Sequence, residues 1–281
     1  MKRTLLVALC LICMGIFTQC NKSDKSNIPD YHAENLTFET HQISDSIPLL
    51  EQKSEPFLTL KYSFVYPKEV ENDTLLNRLK KNILLNVFGE TYADAVSLDD
   101  AVTMFVKKTT ESYRSENQEI YDPETAKLFN FEHFSTMTVS YQKGNLVSYK
   151  VENYAYTGGA NGLANTVGHI FDFSCGEVLF SDVFAPEAKA TLVDLVKKHF
   201  ADSYEGGSLE KMLEERCVND FENLPLSENI YLTNDAVVFV YGTMEIACHA
   251  GGIFEIAVPI SELTPYFAEN SPLKVLVQTA E

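Results

Sequence analysis

Apolar residues recur along this chain with two different periods, and the changes of period mark its elements. Leu36-Thr37-Phe38 and the run Phe57-Leu58-Thr59-Leu60-Lys61-Tyr62-Ser63-Phe64-Val65-Tyr66 have strand character, the second stopped by Pro67. Over residues 75–88 the spacing turns helical, with Leu76, Leu79, Ile83, Leu84 and Val87 on one face. Ser97 is a good N-cap, and Asp99 and Asp100 meet the positive end of a helix dipole, so a second helix is predicted through Phe105 towards Tyr113. Residues 134–141 and 146–156 return to strand, joined by the hairpin signal Gln142-Lys143-Gly144-Asn145. Residues 169–173 and 177–180 flank the tight turn Ser174-Cys175-Gly176. Helical spacing resumes over 186–204 through Leu192, Val196 and Phe200, followed by a short helix over 208–217. Residues 229–232, 236–241 and 252–259 read as the last hairpin strands. Strands and helices come in blocks instead of alternating, which predicts an α+β fold: antiparallel sheets with helices packed on one side, in two coupled subdomains.

The start of the chain follows neither period. Lys2 and Arg3 precede an apolar run over residues 5–17, and Thr18-Gln19-Cys20 closes it. A charged start, an apolar core of about 7–15 residues and a processing site make a secretory leader. Spanning a bilayer takes about 20 apolar residues, so the run is too short for a membrane helix. Thr18-Gln19-Cys20 is similar to a bacterial lipobox, with Gln19 in place of the usual small residue. Residues 1–19 are therefore assigned as a signal peptide and Cys20 as the lipidated first residue of the mature chain. Residues 20–35 are polar and read as a tether reaching on the order of 20 Å from the membrane.

Charge narrows the partners. The 281 residues carry a net charge of −18, and loss of the leader removes Lys2 and Arg3 but no acid. Nucleic acid is excluded, because phosphate binding needs clustered Lys and Arg. Membrane attachment falls to acyl chains, each buried methylene contributing about 0.8 kcal/mol. A basic partner would be steered towards this field, although solubility alone also accounts for it. A hydrophobic fraction of 45%, with 18 Phe and 14 Tyr, fits a packed globular protein. Cys10 and Cys13 leave with the leader, so Cys175, Cys217 and Cys248 can form at most one disulfide, and their spacing does not choose the pair. Neither C-x-x-C nor zinc-type Cys/His spacing occurs, and no metal or cofactor is expected.

Candidate chemistry is sparse. Tyr156-Thr157-Gly158-Gly159-Ala160-Asn161-Gly162 lacks the Lys-Ser/Thr pair of a phosphate loop. Its glycines instead allow positive φ in a wide turn where chain or ligand passes close, making Tyr156, Gly158, Gly159 and Asn161 candidate contacts beside the plainer structural reading. Cys248 and His249 are adjacent and point to opposite faces of an extended chain, which argues against a nucleophile and its base. His249 and Glu245, the least explained charge of the last sheet, join the candidate contacts. Asp182 precedes a helix and reads as a cap; Asp172 and Glu177 lie near turns, where an acid–base pair would need close approach. His32, His41, His133, His169 and His199 show no two-His helical spacing, and no G-x-S-x-G elbow occurs. No catalytic residue is assigned.

Two passages resemble one bacterial domain family. Tyr154 through Gly162, followed by Phe171-Asp172, Gly176-Glu177-Val178-Leu179 and Asp182-Val183-Phe184, is similar to the start of the DUF3298 domain. Tyr241, Glu245-Ile246-Ala247, Ala250-Gly251 and Val258-Pro259-Ile260 are similar to its end. The block with Tyr66-Pro67 and Leu75-Leu76-Asn77 resembles the DUF4163 domain that accompanies it. Asn161 stands where many members carry His, and Met244 where an aromatic often precedes the Glu. The resemblance implies a DUF4163-like subdomain over 36–150, a DUF3298-like subdomain over 151–270 and a C-terminal tail over 271–281. It also implies an extracytoplasmic module, found in lysozyme-sensing anti-sigma factors, beside a peptidoglycan deacetylase domain, or alone in lipoproteins. A cytoplasmic sigma-binding segment and the deacetylase Asp and His motifs are not expected here, so the third setting is.

The sequence thus predicts a lipoprotein held at a bacterial membrane, periplasmic or surface-exposed. It would act as a non-catalytic binding module for a lysozyme-like basic protein or a cell-wall glycan. The alternative is an enzyme acting on cell-wall glycan or peptide, or one associated with a deacetylase. Intact-mass and N-terminal peptide spectrometry of native material is expected to find Met1 absent and Cys20 acylated. Retention of Met1, or an unmodified Cys20 thiol, would overturn the assignment.

Overall fold

In the computed structural model, which describes residues 31–51, 55–68, 73–202 and 208–278, the long strands pair into one six-stranded sheet. The leader, Cys20 and the tether up to residue 30 lie outside the described residues. Strands β1 (Phe38–Pro48) and β2 (Phe57–Pro67) form a hairpin in register from Phe38↔Pro67 to Pro48↔Phe57. Helices α1 (Thr74–Phe88) and α2 (Leu98–Asn117) follow, and β3 (Phe131–Lys143) returns parallel to β2. A parallel return needs a crossover of a dozen or more residues, which the two helices supply. Antiparallel β4 (Leu146–Tyr156), β5 (Leu163–Asp172) and the short β6 (Gly176–Glu177) complete the order β1-β2-β3-β4-β5-β6. Helices α3 (Phe180–Val183), α4 (Lys189–Asp202) and α5 (Leu209–Glu215) lead to a three-stranded antiparallel sheet of β7 (Ile230–Leu232), β8 (Ala236–Tyr241) and β9 (Phe254–Pro259). Short helices α6 (Ile260–Leu263) and α7 (Val275–Gln278) end the described chain. The class is α+β, and no described helix is long and apolar enough to cross a membrane.

Local chemistry sets the helix ends. Asp73 accepts the Leu76 N–H at 2.8 Å to start α1, and Gly89 at φ +103° ends it. Ser97 accepts the Asp100 N–H at 3.1 Å at the start of α2, as its position predicts. The predicted apolar face of α1 is buried through Leu76, Leu79, Ile83, Leu84 and Val87.

Strand β4 explains how two cores share one sheet. Its odd positions Val147, Tyr149 and Val151 are buried in the core formed with α1 and α2. Leu146, on the other parity, joins Ile170 of β5 in the core shared with α4 and the smaller sheet, where Leu192, Val196, Phe200, Val237 and Phe239 also sit. Alternation on a pleated strand puts successive side chains on opposite faces, so β4 serves both cores at once.

The two sheets meet at Gly168 of β5. A Cβ there would lie 2.4 Å from the Ile230 carbonyl oxygen and 2.9 Å from the Tyr231 Cβ. Asn229 seals the contact, accepting the Gly168 N–H at 2.8 Å and donating to the Thr166 carbonyl at 2.7 Å. Ser148 accepts the Leu232 N–H at 2.8 Å and donates to the His169 carbonyl at 2.8 Å. Lys150 of β4 reaches Glu255 of β9 at 3.0 Å.

Several boundaries differ from the sequence reading. The division between 150 and 151 falls inside β4, so the first sheet is continuous across it. Residues 31–35, read as tether, are docked: the Tyr31 ring stacks on Phe173 with centroids 3.7 Å apart, its hydroxyl donates to Asp73 at 2.6 Å, and Ala33 is fully buried. Within the 271–281 tail, Leu273 is fully buried in the second core. β1 runs on to Pro48 because backbone pairing with β2 carries an edge strand whose side chains are mostly polar. Residues 177–180 do not form a strand: pairing stops at Glu177, and helix α3 begins at Phe180.

Gly168→Ala is expected to lower stability by about 3 kcal/mol, because a backbone carbonyl, not a pliable side chain, fills the space a methyl needs. Urea unfolding tests this, and a change within about 0.5 kcal/mol would show that the seam yields.

Candidate functional site

The sequence-flagged residues lie on two loops, and the fold brings these loops together. The first connects β4 to β5. Gly158, at φ +88°, passes so close to another loop that a Cβ would sit 2.9 Å from the Leu128 carbonyl oxygen, and Gly159 has φ +96°. Only glycine takes both the dihedral and the approach at 158 without strain. The Tyr156 hydroxyl donates to the Gly159 carbonyl at 2.9 Å and closes the turn. Asn161 stands exposed at the loop surface.

The second loop connects β8 to β9. Glu245 accepts the Gly242 N–H at 2.7 Å, and the exposed Met244 adopts φ +68°. His249 Nε2 contacts the Gly162 carbonyl oxygen at 2.8 Å and ties the second loop to the first. A carbonyl accepts and never donates, so Nε2 carries the proton of this bond. Gly242 lies beside β5, where a Cβ would be 3.1 Å from the Asn165 Oδ1. Arg216 braces the loop from behind, donating to the Gly251 carbonyl at 2.8 Å and the Ile253 carbonyl at 2.7 Å, with its guanidinium 3.8 Å over the Phe254 ring. Tyr156, Gly158, Gly159, Asn161, Glu245 and His249 therefore share one joined pair of loops.

Two of the carboxylates considered for acid–base work are engaged locally. Asp172 accepts the Ser174 N–H at 2.6 Å and the Ser174 hydroxyl, and Asp182 accepts the Leu179 N–H at 2.9 Å. Glu177 is different. Its Oε1 lies 3.0 Å from His169 Nδ1, and its Oε2 accepts from Asn82 at 3.2 Å. Tyr149, fully buried, donates to Asn82 Oδ1 at 2.6 Å and accepts from Asn86 at 2.8 Å. His169 also stacks on the Tyr149 ring at 5.0 Å. Burial raises the Glu177 pKa, but the His169 hydrogen bond and charge, with Asn82, outweigh it and hold the carboxyl below its ordinary value. Burial pushes the Tyr149 hydroxyl well up.

His169 and Glu177 line a cleft of about 300 Å³ with Phe180, Glu228, Asn229 and Ile230. Its walls carry an oriented imidazole but no hydroxyl or thiol nucleophile, and the chain of hydrogen bonds behind it ties α1 to β4, β5 and β6. A larger groove of about 620 Å³ lies beside α1 and the β1–β2 edge, where Lys68 pairs with Glu39 and Lys81 with Asp94. Sequence reasoning weighed His169 and Glu177 singly and missed the network. The legible signal was Asn82, an amide on the apolar face of α1 that needs a partner when buried. Among the described residues no cluster of three or more His, Cys, Asp and Glu could hold a metal ion.

Because Glu177 is depressed in the folded state, its stabilising contribution is present above its ordinary value near 4.5 and is lost as pH falls through the lower folded value. Glu177→Gln is expected to flatten the fall in stability between about pH 6 and about pH 3. Urea midpoints at the two pH values check this, and equal slopes for both proteins would refute it.

Family models match the chain in two stretches. Residues 51–164 match the family model described as "Deacetylase PdaC", and residues 181–261 match "Protein of unknown function (DUF3298)". The first-loop passage 154–162, which resembled DUF3298 in sequence, thus falls within the other stretch. A DUF3298 family member from Bacteroides fragilis NCTC 9343 superposes with a TM-score of 0.77 at 21% identity, over 89% of this chain and 100% of that one. A DUF3298 family protein from Pseudomonas aeruginosa PAO1 gives 0.55 at 16% identity, over 83% and 96%. These likenesses are of fold. No curated protein matches the chain. Residues 181–261, from α3 through β9, are thus the stretch that is similar to the DUF3298 family.

Proposed function

We propose that the chain is an exported, lipid-anchored binding module of the bacterial envelope whose ligand surface is the joined pair of loops 156–162 and 242–252. The His249–Gly162 contact carries the reading, because it fixes two loops from different sheets as one surface. Around it the polar groups hold shape: Glu245 and Tyr156 each bind backbone of their own loop, and His249 gives its Nε2 proton to Gly162. A net charge of −18 favours a basic protein such as lysozyme as occupant, in keeping with the DUF4163-like and DUF3298-like resemblance to lysozyme sensors. A peptidoglycan glycan is the second occupant of the same reading. The match of residues 51–164 to a model described as a deacetylase supports the alternative of an enzyme acting on cell-wall glycan.

Calorimetry of the mature chain with lysozyme is expected to show micromolar binding that weakens as salt rises. His249→Ala should reduce affinity by on the order of tenfold. Absence of binding at both low and moderate salt would remove the basic protein, and acetate release from acetylated glycan would replace the binding module with the enzyme.

A further inference from the structure

Cys217 and Cys248 are distant in sequence and opposite one another in the fold. Val218 and Ala247 form an isolated antiparallel bridge. It is flanked by hydrogen bonds from the Asn219 N–H to the Ile246 carbonyl at 2.9 Å and from the Cys248 N–H to the Cys217 carbonyl at 3.2 Å. That register sets Cys217 directly across from Cys248. Directly opposed residues of an extended pair hold their Cβ atoms about 4.5–5.5 Å apart and a disulfide spans about 3.5–4.5 Å; Cys217, at φ +50°, leaves the extended backbone at this point of the pairing. The two thiols lie close enough for each to shift the other's ionisation. Cys217 is exposed and Cys248 half-buried, so solvent-borne reagents reach the pair. Cys175 lies elsewhere, in the turn between β5 and β6.

The two thiols are unequal. Cys248 stands just before the turn His249–Gly251, without a side-chain capping bond; the adjacent Cys217 thiol first, and then the backbone of that turn, hold its thiol below the usual range. The neighbouring Cys248 in turn pushes the Cys217 thiol up. One activated thiol beside one resolving thiol is the arrangement thiol–disulfide exchange uses.

We infer that Cys217 and Cys248 form a redox-closed latch, a disulfide that fastens the turn carrying His249 to the end of α5. The oxidant is a disulfide donor, protein-borne or small-molecule. The Cys248 thiolate attacks one donor sulfur, the donor S–S bond breaks, and its other sulfur leaves as a thiolate. Cys217, its proton released to solvent, then attacks the Cys248 Sγ and expels the second donor thiolate. Two protein thiols lose two electrons and two protons, and one donor disulfide becomes two thiols. Arg216, the neighbour of Cys217, holds the same loop by its hydrogen bonds to Gly251 and Ile253, and the disulfide makes that attachment covalent. The latch stands on these contacts whatever ligand the loops take.

The full chain would be incubated with excess oxidised glutathione, its remaining thiols trapped with a maleimide under denaturing conditions, and its peptides mapped by mass spectrometry. The expected result is one cross-linked peptide pair holding Cys217 and Cys248, with Cys175 alkylated. Oxidation should also raise Tm by about 5 °C, a rise lost in both Cys217→Ser and Cys248→Ser. Alkylation of both cysteines, a bond from either to Cys175, or a glutathione adduct that never closes would overturn the latch.

Discussion

The backbone of β7 crosses β5 at Gly168 with no room for a side chain between them, and the arrangement of the whole molecule rests on that approach. A backbone brought this close to another must find partners for its polar groups, because an unpaired buried N–H costs about as much as a lost hydrogen bond. Asn229 and Ser148 meet that requirement, each both accepting a backbone N–H and donating to a carbonyl. The seam is therefore polar within an apolar core. Its geometry fixes register where hydrophobic contact alone would allow the two sheets to slide.

From this seam the rest is positioned. β5 leads back to the Gly158–Gly159 turn at one end and forward to His169 and the β6 turn at the other. β7 leads into β8, whose far end carries Glu245 and the His249 turn. Once Gly168 and Ile230 are in contact, the loops 156–162 and 242–252 are brought to the same side, and the contact from His249 to Gly162 joins them. The Cys217–Cys248 pairing stands one element behind, at the bridge between Val218 and Ala247. A loop surface, its brace at Arg216 and a thiol pair thus gather around the connection from β8 to β9.

The His169–Glu177–Asn82–Tyr149 chain shows the opposite use of polar groups. Its members come from α1, β4, β5 and β6, and each satisfies its neighbour, so the Glu177 carboxyl is held below its ordinary value although burial by itself raises it. A satisfied network of this kind rigidifies the core beneath the cleft.

Periodicity, caps and turns were legible in the sequence because they depend on neighbours a few residues away. The buried face of α1, the Ser97 cap of α2, the Gly144 hairpin and the strand run of β8 are all such local features. The glycine turn at 158–159 was legible for the same reason. The polar strand β1 and the docked Tyr31 escaped notice, since each is held by a distant backbone or ring and not by its own pattern. The partners of Glu177, the cross-strand position of Cys217 and Cys248, and the meeting of the two loops depend on contacts between residues far apart in the chain. Chain order leaves those distances free, and the close packing of two sheets around one glycine sets them.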